Sequence, residues 1–432
     1  MQRFIKLFPL ISVLVATSAP FSFNFSALGI TQGLTQTLTT DQLAVNSPTV
    51  ELIKRVASQH KATLVQYSII EESSLDKGKK VNVSSELLIW VINPTGKIAL
   101  RRVDLKSLLS KKKVSLEELI DNSRNGATIR NRRLKGILTI EPIQEDSENK
   151  SLQQLHQLLI EPIVDLLPTE VDAHVIFIPQ GSLFLVPFPA LQDQGGKYLI
   201  DRHTISTAPS IQVLDLTYQR KQRRKQENFD VLIVGNPTMP SIASQIGEPP
   251  QQLPSLPGTE EEASAIARLY NTQALTGKAA TKSAVVKRLS QANIIHLATH
   301  TFNNFQEQDV PGAIVLAPES NDNGLLTASE IMKMELSADL VVLSGAESAT
   351  GRITADGVIG LSRAFIAAGA TSAIGSLWNV SDRATTLLMV EFYRNLQQNP
   401  DKANALRMAM LATRKQYPNP KDWAAFTLIG ES

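Results

Sequence analysis

The chain has 432 residues, a hydrophobic content of 43% and a formal net charge of +2. This length allows two or three domains with packed cores, and the near-neutral charge does not favour a polyanion as a partner. The chain contains no cysteine, which excludes disulfides, zinc–cysteine sites and thiol catalysis.

The N-terminus has the pattern of a secretory signal peptide. Arg3 and Lys6 precede an apolar run over 7–19, and Ala16-Thr17-Ser18 places small residues where a signal peptidase requires them. The apolar run is too short to cross a bilayer. We therefore expect a signal peptide over 1–18, export to the periplasm or the extracellular space, and no stable membrane anchor.

The next segment has no strong periodicity. Thr, Ser and Gln are frequent in it, so we predict a flexible lead and a short helix over 19–60. Three strand-like runs follow, at 62–70, 86–92 and 97–105. Asn93-Pro94-Thr95-Gly96 separates the last two as a turn, which indicates an antiparallel meander. This meander opens a predicted N-terminal unit over 61–219.

A run of basic residues at 220–225 interrupts this pattern. We place a basic linker at 220–229, between the unit over 61–219 and a second unit over 230–432. In the second unit, short apolar strands alternate with helices. This alternation indicates an α/β fold with a mostly parallel sheet and helices on both faces.

Spacing and composition also restrict the ligands. The basic clusters lack interleaved aromatic residues, so we do not expect nucleic acid as a partner. No group of histidines or carboxylates has metal-ligand spacing, so we expect neither a metal nor another cofactor. The sequence leaves the oligomeric state open.

Two apolar strands lead into turns that carry candidate site residues. One leads into Gly345-Ala346-Glu347-Ser348 and the other into Ala298-Thr299-His300-Thr301. Open parallel sheets place their sites at the carboxyl ends of strands, so we expect the two turns to lie side by side. His296 shares a face with His300 on a regular strand, and we expect it to be packed or hydrogen-bonded.

These turns resemble the active-site motifs of the CHAT domain, a family in the caspase and separase group of peptidases. In that family one strand ends in Ser-Ala-Cys-x-Thr, with Cys as nucleophile, and the other motif reads His-x-Ala-Thr-His-Gly, with the second His as base. The resemblance extends from residue 62 to the C-terminus, through motifs at 184–188, 235–237, 351–363, 376–380 and 422–426. It implies a caspase-like three-layer α/β/α domain over 230–432, preceded by a degenerate caspase-like half over 61–219.

The resemblance implies that His300 holds the base position, but two other positions depart from the pattern. Ala346 stands at the nucleophile position, and a methyl group cannot form a thiolate. Thr301 replaces the glycine whose N–H helps to bind the oxyanion, and a β-branched residue resists the dihedrals that glycine allows. We therefore expect an inactive peptidase homologue that binds a peptide or protein in its former substrate groove.

Alternatives stay open for the serines and for one carboxylate. Ser344 or Ser348 could serve as nucleophile with His300, although Ser344 lies about 6–7 Å back along a regular strand. Asp356 is either a helix N-cap, which we favour, or part of an acidic specificity pocket of the kind found in related peptidases. A chain without a selected function is a further alternative.

Overall fold

The computed structural model describes residues 48–76, 79–112, 114–124, 133–134, 137–138, 145–224, 229–242, 249–302, 312–345, 348, 352–354, 357–379 and 381–432. The predicted signal peptide and most of the predicted lead lie outside these residues. Export therefore stays a prediction, which N-terminal sequencing of the mature protein would test. Among the helices of the described ranges, none combines the length and the apolar character needed to cross a bilayer.

The N-terminal half combines an antiparallel meander with helices and four further strands. Its strands are β1 (Thr63–Asp76), β2 (Lys79–Ile92), β3 (Ile98–Asp104), β4 (Arg133–Leu134), β5 (Ile137–Leu138), β6 (His174–Ile178) and β7 (Thr204–Thr207). Its α-helices are α1 (Val50–His60), α2 (Leu105–Lys112), α3 (Leu116–Arg124), α4 (Glu145–Leu159) and α5 (Ile211–Arg223). The 3₁₀ helices are Glu161–Leu166, Gly181–Leu185, Phe188–Ala190 and Leu199–Asp201.

The C-terminal half alternates strands and helices. Its strands are β8 (Val231–Pro237), β9 (Ser241–Ile242), β10 (Gln251–Gln252), β11 (Leu275–Gly277), β12 (Ile294–Ala298), β13 (Thr301–Phe302), β14 (Ala313–Val315), β15 (Leu325–Thr327), β16 (Leu340–Leu343), β17 (Arg352–Thr354), β18 (Gly357–Ile359), β19 (Ser372–Ser376) and β20 (Phe426–Gly430). Its helices are α6 (Pro257–Leu269), α7 (Lys282–Leu289), α8 (Ala328–Met332), α9 (Leu361–Ala368), α10 (Asp382–Gln398), α11 (Lys402–Gln416) and α12 (Pro420–Trp423).

One sheet of eleven strands joins the two halves, in the order β11-β8-β12-β16-β19-β20-β7-β6-β1-β2-β3. Most neighbours are parallel; β20 runs antiparallel to β19, and β1, β2 and β3 form the predicted antiparallel meander. The halves meet where β20 pairs with β7, and there Thr207 Oγ1 donates to the Leu428 carbonyl at 3.1 Å. The predicted fold class, a mostly parallel α/β sheet with an antiparallel meander, is confirmed.

The C-terminal half has helices on both faces of its strands. Along β8, Val231 and Ile233 pack in a core that includes side chains of α6, α10 and α11. Leu232 and Val234 point the other way, into a core that includes α7, α8 and α9. A period of two with apolar residues on both faces is typical of a buried parallel strand. The layering is therefore α/β/α, as predicted.

Helix α5 covers the first residues of the predicted basic linker over 220–229, and the boundary between the two units stays a prediction. The helix continues to Arg223, so the first residues of the predicted linker are helical. The segment 225–228 lies outside the described residues. Basic residues in the last turn of a helix interact favourably with its dipole, which is why a charged run does not have to be a loop.

The same basic residues connect α5 to the C-terminal half. Arg220 Nη1 donates to the Ile366 carbonyl at 2.6 Å. Arg224 Nη1 lies 3.5 Å from Asp339 Oδ1, just before β16. The charged run therefore links the two halves through specific contacts, in addition to the continuous sheet.

A buried acid–base pair also connects the halves. His60 Nε2, at the end of α1, lies 3.6 Å from Glu431 Oε1, and both side chains are almost inaccessible. Thr217 Oγ1 donates to Glu431 Oε1 at 3.0 Å. Desolvation by burial raises the pKa of Glu431 to about 7 and lowers the pKa of His60 to about 4.

We predict that Glu431→Gln gains stability relative to the wild type as the pH rises from about 5 to about 8. The folded pKa of Glu431 is raised from 4.5 to about 7, so the stability that its protonated form contributes at low pH is lost as the pH rises through 7. One pKa unit corresponds to ~1.4 kcal/mol, so the change should be on the order of 1–3 kcal/mol.

Urea unfolding of both proteins at each pH measures this difference. The lowered pKa of His60 acts with the opposite sign, since its contribution is lost as the pH falls from 6.5 towards about 4. For that reason the two proteins are compared at the same pH. The exposed Glu261→Gln is the control, with no pH-dependent change expected. Parallel pH profiles for Glu431→Gln and the wild type would contradict the prediction.

Candidate functional site

A cavity of about 230 Å³ opens at the carboxyl edge of the parallel strands in the C-terminal half. The ends of β12, β16 and β19 form its floor, and the starts of α6 and α10 form its sides. We call this cavity and its walls the cleft. Open α/β sheets bind ligands at this edge, so its location agrees with the position that the two sequence motifs predict.

His300 is the second residue after β12 and lines the cleft. Its Nε2 lies 2.9 Å from the Pro254 carbonyl oxygen. A carbonyl can only accept, so Nε2 carries the hydrogen, and Nδ1 of the neutral ring is then the available acceptor. A histidine whose ring is oriented by a third group is suited to act as a base. The structure thus places His300 in the cleft, and its assignment to the base position stays a prediction.

The turn after β16 lies beside the turn after β12, because the two strands pair in parallel with Leu297 opposite Leu343. Ala346 lies outside the described residues, but Gly345 lines the cleft together with His300. A Cβ at Gly345 would collide with the carbonyl oxygen of Thr299. Glycine at this position therefore allows the close approach of the two turns.

Thr301 begins the short strand β13 and pairs with Ile314. Its Cγ2 would lie 2.9 Å from a Cβ added to Gly345, so the threonine side chain packs directly against the backbone of the neighbouring turn. The resemblance places an oxyanion-binding glycine at residue 301. The observed contact means that the side chain of Thr301 occupies space beside residue 345 that a glycine would leave open.

The two serines of the alternative mechanism have different environments. Ser348 is fully buried; its hydroxyl donates to the Leu343 carbonyl at 2.6 Å and accepts from the Ser376 N–H at 3.0 Å. Ser344 lines the cleft, is 8% exposed, and its hydroxyl has no hydrogen-bond partner among the described residues. Ser348 therefore holds the turn in place, and its environment does not favour a role as nucleophile.

Ser376 completes this support. Its Oγ donates to the Gly345 carbonyl at 2.5 Å, and it lies 3.3 Å from the Ser348 N–H, which donates to it. The end of β19 is thereby connected to the turn after β16. Sequence reasoning identified Ser376 only as part of a family motif and did not predict this contact.

Two carboxylates also line the cleft, and among the described residues no lysine or arginine does. Glu262 of α6 is buried, whereas Asp382 at the start of α10 is exposed. Asp382 lies against Gly258, where a side chain would collide with the carboxylate. The cleft is therefore an acidic environment, except for His300.

The carboxylate of Glu262 also contacts the buried His296. Glu262 Oε1 lies 2.9 Å from His296 Nε2, but the alignment is not that of a hydrogen bond, and neither atom has another partner among the described residues. His296 Nδ1 lies 3.1 Å from the Tyr393 hydroxyl. Burial raises the pKa of Tyr393 well above its ordinary value, so that hydroxyl stays protonated. The expectation of a packed, hydrogen-bonded His296 is confirmed.

The sequence analysis did not identify Glu262 or Asp382 as site residues. Glu262 follows Glu260 and Glu261, and consecutive acids at a helix start are typical of the favourable interaction with the helix dipole. Helical spacing could have shown that Glu262 is on the buried face of α6, since it lies beside Ala263 and one turn before Ile266, which are both buried. Asp356, assigned either to a helix cap or to a specificity pocket, lies outside the described residues.

The sheet order and the position of the cleft define an α/β fold of the caspase-like class. The chain belongs to the CHAT-domain family, because the CHAT domain profile matches residues 149–431. The family resemblance is thereby confirmed. The matched region starts at residue 149, whereas the sequence motifs suggested residue 62, so the meander lies outside the matched region.

Three known proteins illustrate these similarities. The chain is 28% identical over 419 residues to Tetratricopeptide repeat protein 28 of Mus musculus, covering 84% of this chain and 16% of the relative. The Homo sapiens protein of that name is 28% identical over 387 residues, covering 79% and 15%. The chain thus spans only about a sixth of these relatives' length.

Among solved structures, the Saccharomyces cerevisiae separase–securin complex has a chain with a TM-score of 0.50 and 13% identity to this protein. The match covers 88% of this chain and 30% of that chain. At this identity the likeness concerns the fold alone. It agrees with the fold class predicted from the sequence.

We predict that Ser348→Ala lowers the free energy of unfolding by about 1–3 kcal/mol, because a buried carbonyl and a buried N–H lose their partner. Ser381→Ala is the matched control, since Ser381 is exposed and makes no side-chain cap bond. Its effect should stay within about 0.5 kcal/mol. Denaturant unfolding measures both values. Equal, small effects would show that the Ser348 hydroxyl does not support the turn.

Proposed function

We propose that this protein is a pseudopeptidase that binds a peptide, or an exposed segment of a protein, in the cleft. The observation that carries the proposal is that a CHAT-family chain has a cleft at the expected sheet edge but contains no cysteine. Thioester chemistry requires a thiolate. Binding needs only the cleft and its polar lining.

The lining favours a ligand with a cationic side chain. Glu262 and Asp382 are the two carboxylates, and Oε1 of Glu262 lies 2.9 Å from His296 Nε2 but accepts no hydrogen bond from the described residues. A buried carboxylate with an unused acceptor is stabilised by a charged donor. The volume of about 230 Å³ is below the range of about 300–1,000 Å³ typical of small-molecule pockets. A peptide would therefore insert one side chain and lie across the opening.

A serine peptidase is the second candidate function. Ser344 supports it, because its hydroxyl is in the cleft wall and has no hydrogen-bond partner within the described ranges. A serine nucleophile needs a hydrogen bond to its base. Among the described residues, however, His300 Nε2 bonds to Pro254, and no bond joins Ser344 to His300. We therefore favour binding over catalysis.

We predict that lysine- or arginine-containing peptides bind more tightly than matched peptides with glutamine at the same position. Glu262→Gln should weaken binding of the cationic peptides by about 10-fold or more, because a charge-assisted contact in a buried site is lost. Asp382→Asn should have a smaller effect, since exposed charges interact weakly. Fluorescence anisotropy with labelled peptides measures these affinities.

Glu261→Gln is the control for this experiment, because Glu261 is exposed and adjacent to Glu262 in the same helix. Thermal melting of each variant shows whether it is folded. Equal affinity for cationic and neutral peptides would contradict the ligand assignment. No binding of any peptide by the folded wild type would contradict the proposed function itself.

We also predict that Ala346→Cys alone restores little peptidase activity. A thiol at 346 would regain a base in His300, but the side chain of Thr301 would still occupy the space beside Gly345. Loss of one oxyanion donor costs about 10²–10³ in rate. Ala346→Cys with Thr301→Gly should therefore exceed either single change by more than additivity.

Turnover of a fluorogenic peptide measures this activity, with His300→Ala in the double variant as the control that should abolish it. Equal turnover by the single and double variants would show that Thr301 does not obstruct the site. Turnover by the unmodified protein that is lost on both His300→Ala and Ser344→Ala would instead support the serine alternative.

A further inference from the structure

Two elements of the N-terminal half contact segments that follow the strands of the cleft floor. They are helix α3 (Leu116–Arg124) and the 3₁₀ helix Gly181–Leu185, which also contact each other. The hairpin of β17 and β18, which follows the turn after β16, packs against the 3₁₀ helix. Helix α3 contacts the residue that follows β19. The β17–β18 hairpin and the segment after β19 therefore both contact the N-terminal half.

The contact at β19 is made by Arg124, the last residue of α3. Its Nη2 donates to the Leu377 carbonyl at 2.6 Å, across 253 residues of sequence. The Arg124 side chain is only 11% exposed. Hydrogen bonds from a charged donor are short and about twice as strong as neutral ones. The guanidinium therefore holds this carbonyl firmly.

Leu377 lies between two residues of the cleft wall. Ser376 and Trp378 both line the cleft, and the Leu377 N–H donates to the Ala425 carbonyl at 2.8 Å. The Leu377 carbonyl and the Trp378 N–H belong to one planar peptide unit. Arg124 therefore orients this peptide unit, and with it the backbone of Trp378, which lines the cleft.

Arg124 is not what keeps α3 in place. Leu116, Leu119 and Ile120 are almost fully buried and join the large core that also contains Leu377 and Trp378. Burial of three such side chains contributes several times more than one hydrogen bond. Removing the guanidinium should therefore release the Leu377 carbonyl while α3 stays packed.

We propose that Arg124 is a positioning residue for the ligand, acting through the peptide unit of Leu377 and Trp378. The N-terminal half is then a support that sets the shape of the cleft in the C-terminal half. This inference rests on the proposed peptide-binding function. It adds that cleft affinity depends on a residue that does not line the cleft.

Two measurements on the full-length chain test the proposal. Hydrogen exchange with mass spectrometry follows the backbone amides of residues 372–382, and fluorescence anisotropy follows binding of a lysine-containing peptide. Arg124→Ala should speed exchange in 372–382 and weaken peptide binding about tenfold, consistent with loss of a charge-assisted hydrogen bond. Arg124→Lys, which keeps one charged donor, should recover part of both effects.

Arg101→Ala is the matched control. Arg101, on β3 at the far edge of the sheet, forms a partly exposed ion pair with Asp165. It should change neither exchange in 372–382 nor peptide affinity by more than about twofold. If Arg124→Ala accelerates exchange throughout the chain, Arg124→Lys decides the result, since it should keep global exchange normal while exchange at 372–382 rises.

The outcomes separate this inference from the proposed function. Unchanged exchange at 372–382 and unchanged affinity in Arg124→Ala would overturn the positioning role, even if the wild type binds peptide. Faster local exchange with weaker binding supports it. If the wild type binds no peptide, the proposed function fails, and local exchange alone then shows whether Arg124 orients the wall.

Discussion

The candidate site depends on the parallel pairing of β12 with β16. Because the two strands run side by side in the same direction, their carboxyl ends reach the same edge of the sheet, and the turns that follow them are neighbours. Gly345 allows these turns to approach closely, since any side chain there would collide with the Thr299 carbonyl. The hydrogen bonds of Ser348 and Ser376 then fix the turn after β16. The shape of the cleft does not depend on a nucleophile, because it comes from backbone pairing and buried serines.

The two halves form one structural unit. The sheet is continuous through β20 and β7, and polar contacts cross from α5 to the C-terminal half. The same association brings Arg124 to the Leu377 carbonyl next to the cleft. The region that matches the CHAT domain starts at residue 149. The N-terminal elements that support it therefore lie only partly within that region. The N-terminal half contributes no residue to the cleft lining that the structure describes. It nevertheless contacts the cleft wall through Arg124 and Leu377.

Much of the fold could be predicted because its signals are local. The apolar strands of the second unit, the Asn93–Gly96 turn and the motif around His300 all lie within short stretches of sequence. The helical start of the charged run was not predicted, because the helix α5 extends into it and its basic side chains donate to carbonyl groups of the other half. Helical spacing marks Glu262 as buried, but neither Glu262 nor Asp382 could be assigned to the cleft, since α6 and α10 meet there only in the folded chain. The contact of Arg124 with Leu377 spans 253 residues and has no local signal.

We propose that the cleft holds a peptide without cleaving it. Photo-crosslinking of a lysine-containing peptide, followed by mass spectrometry of the adduct, tests location and cleavage in one measurement. The account predicts an adduct that carries the intact peptide, attached to residues of the cleft wall such as Trp378 or Asn379. An adduct confined to other surfaces, or one that carries only a cleaved fragment and disappears on His300→Ala, would contradict it.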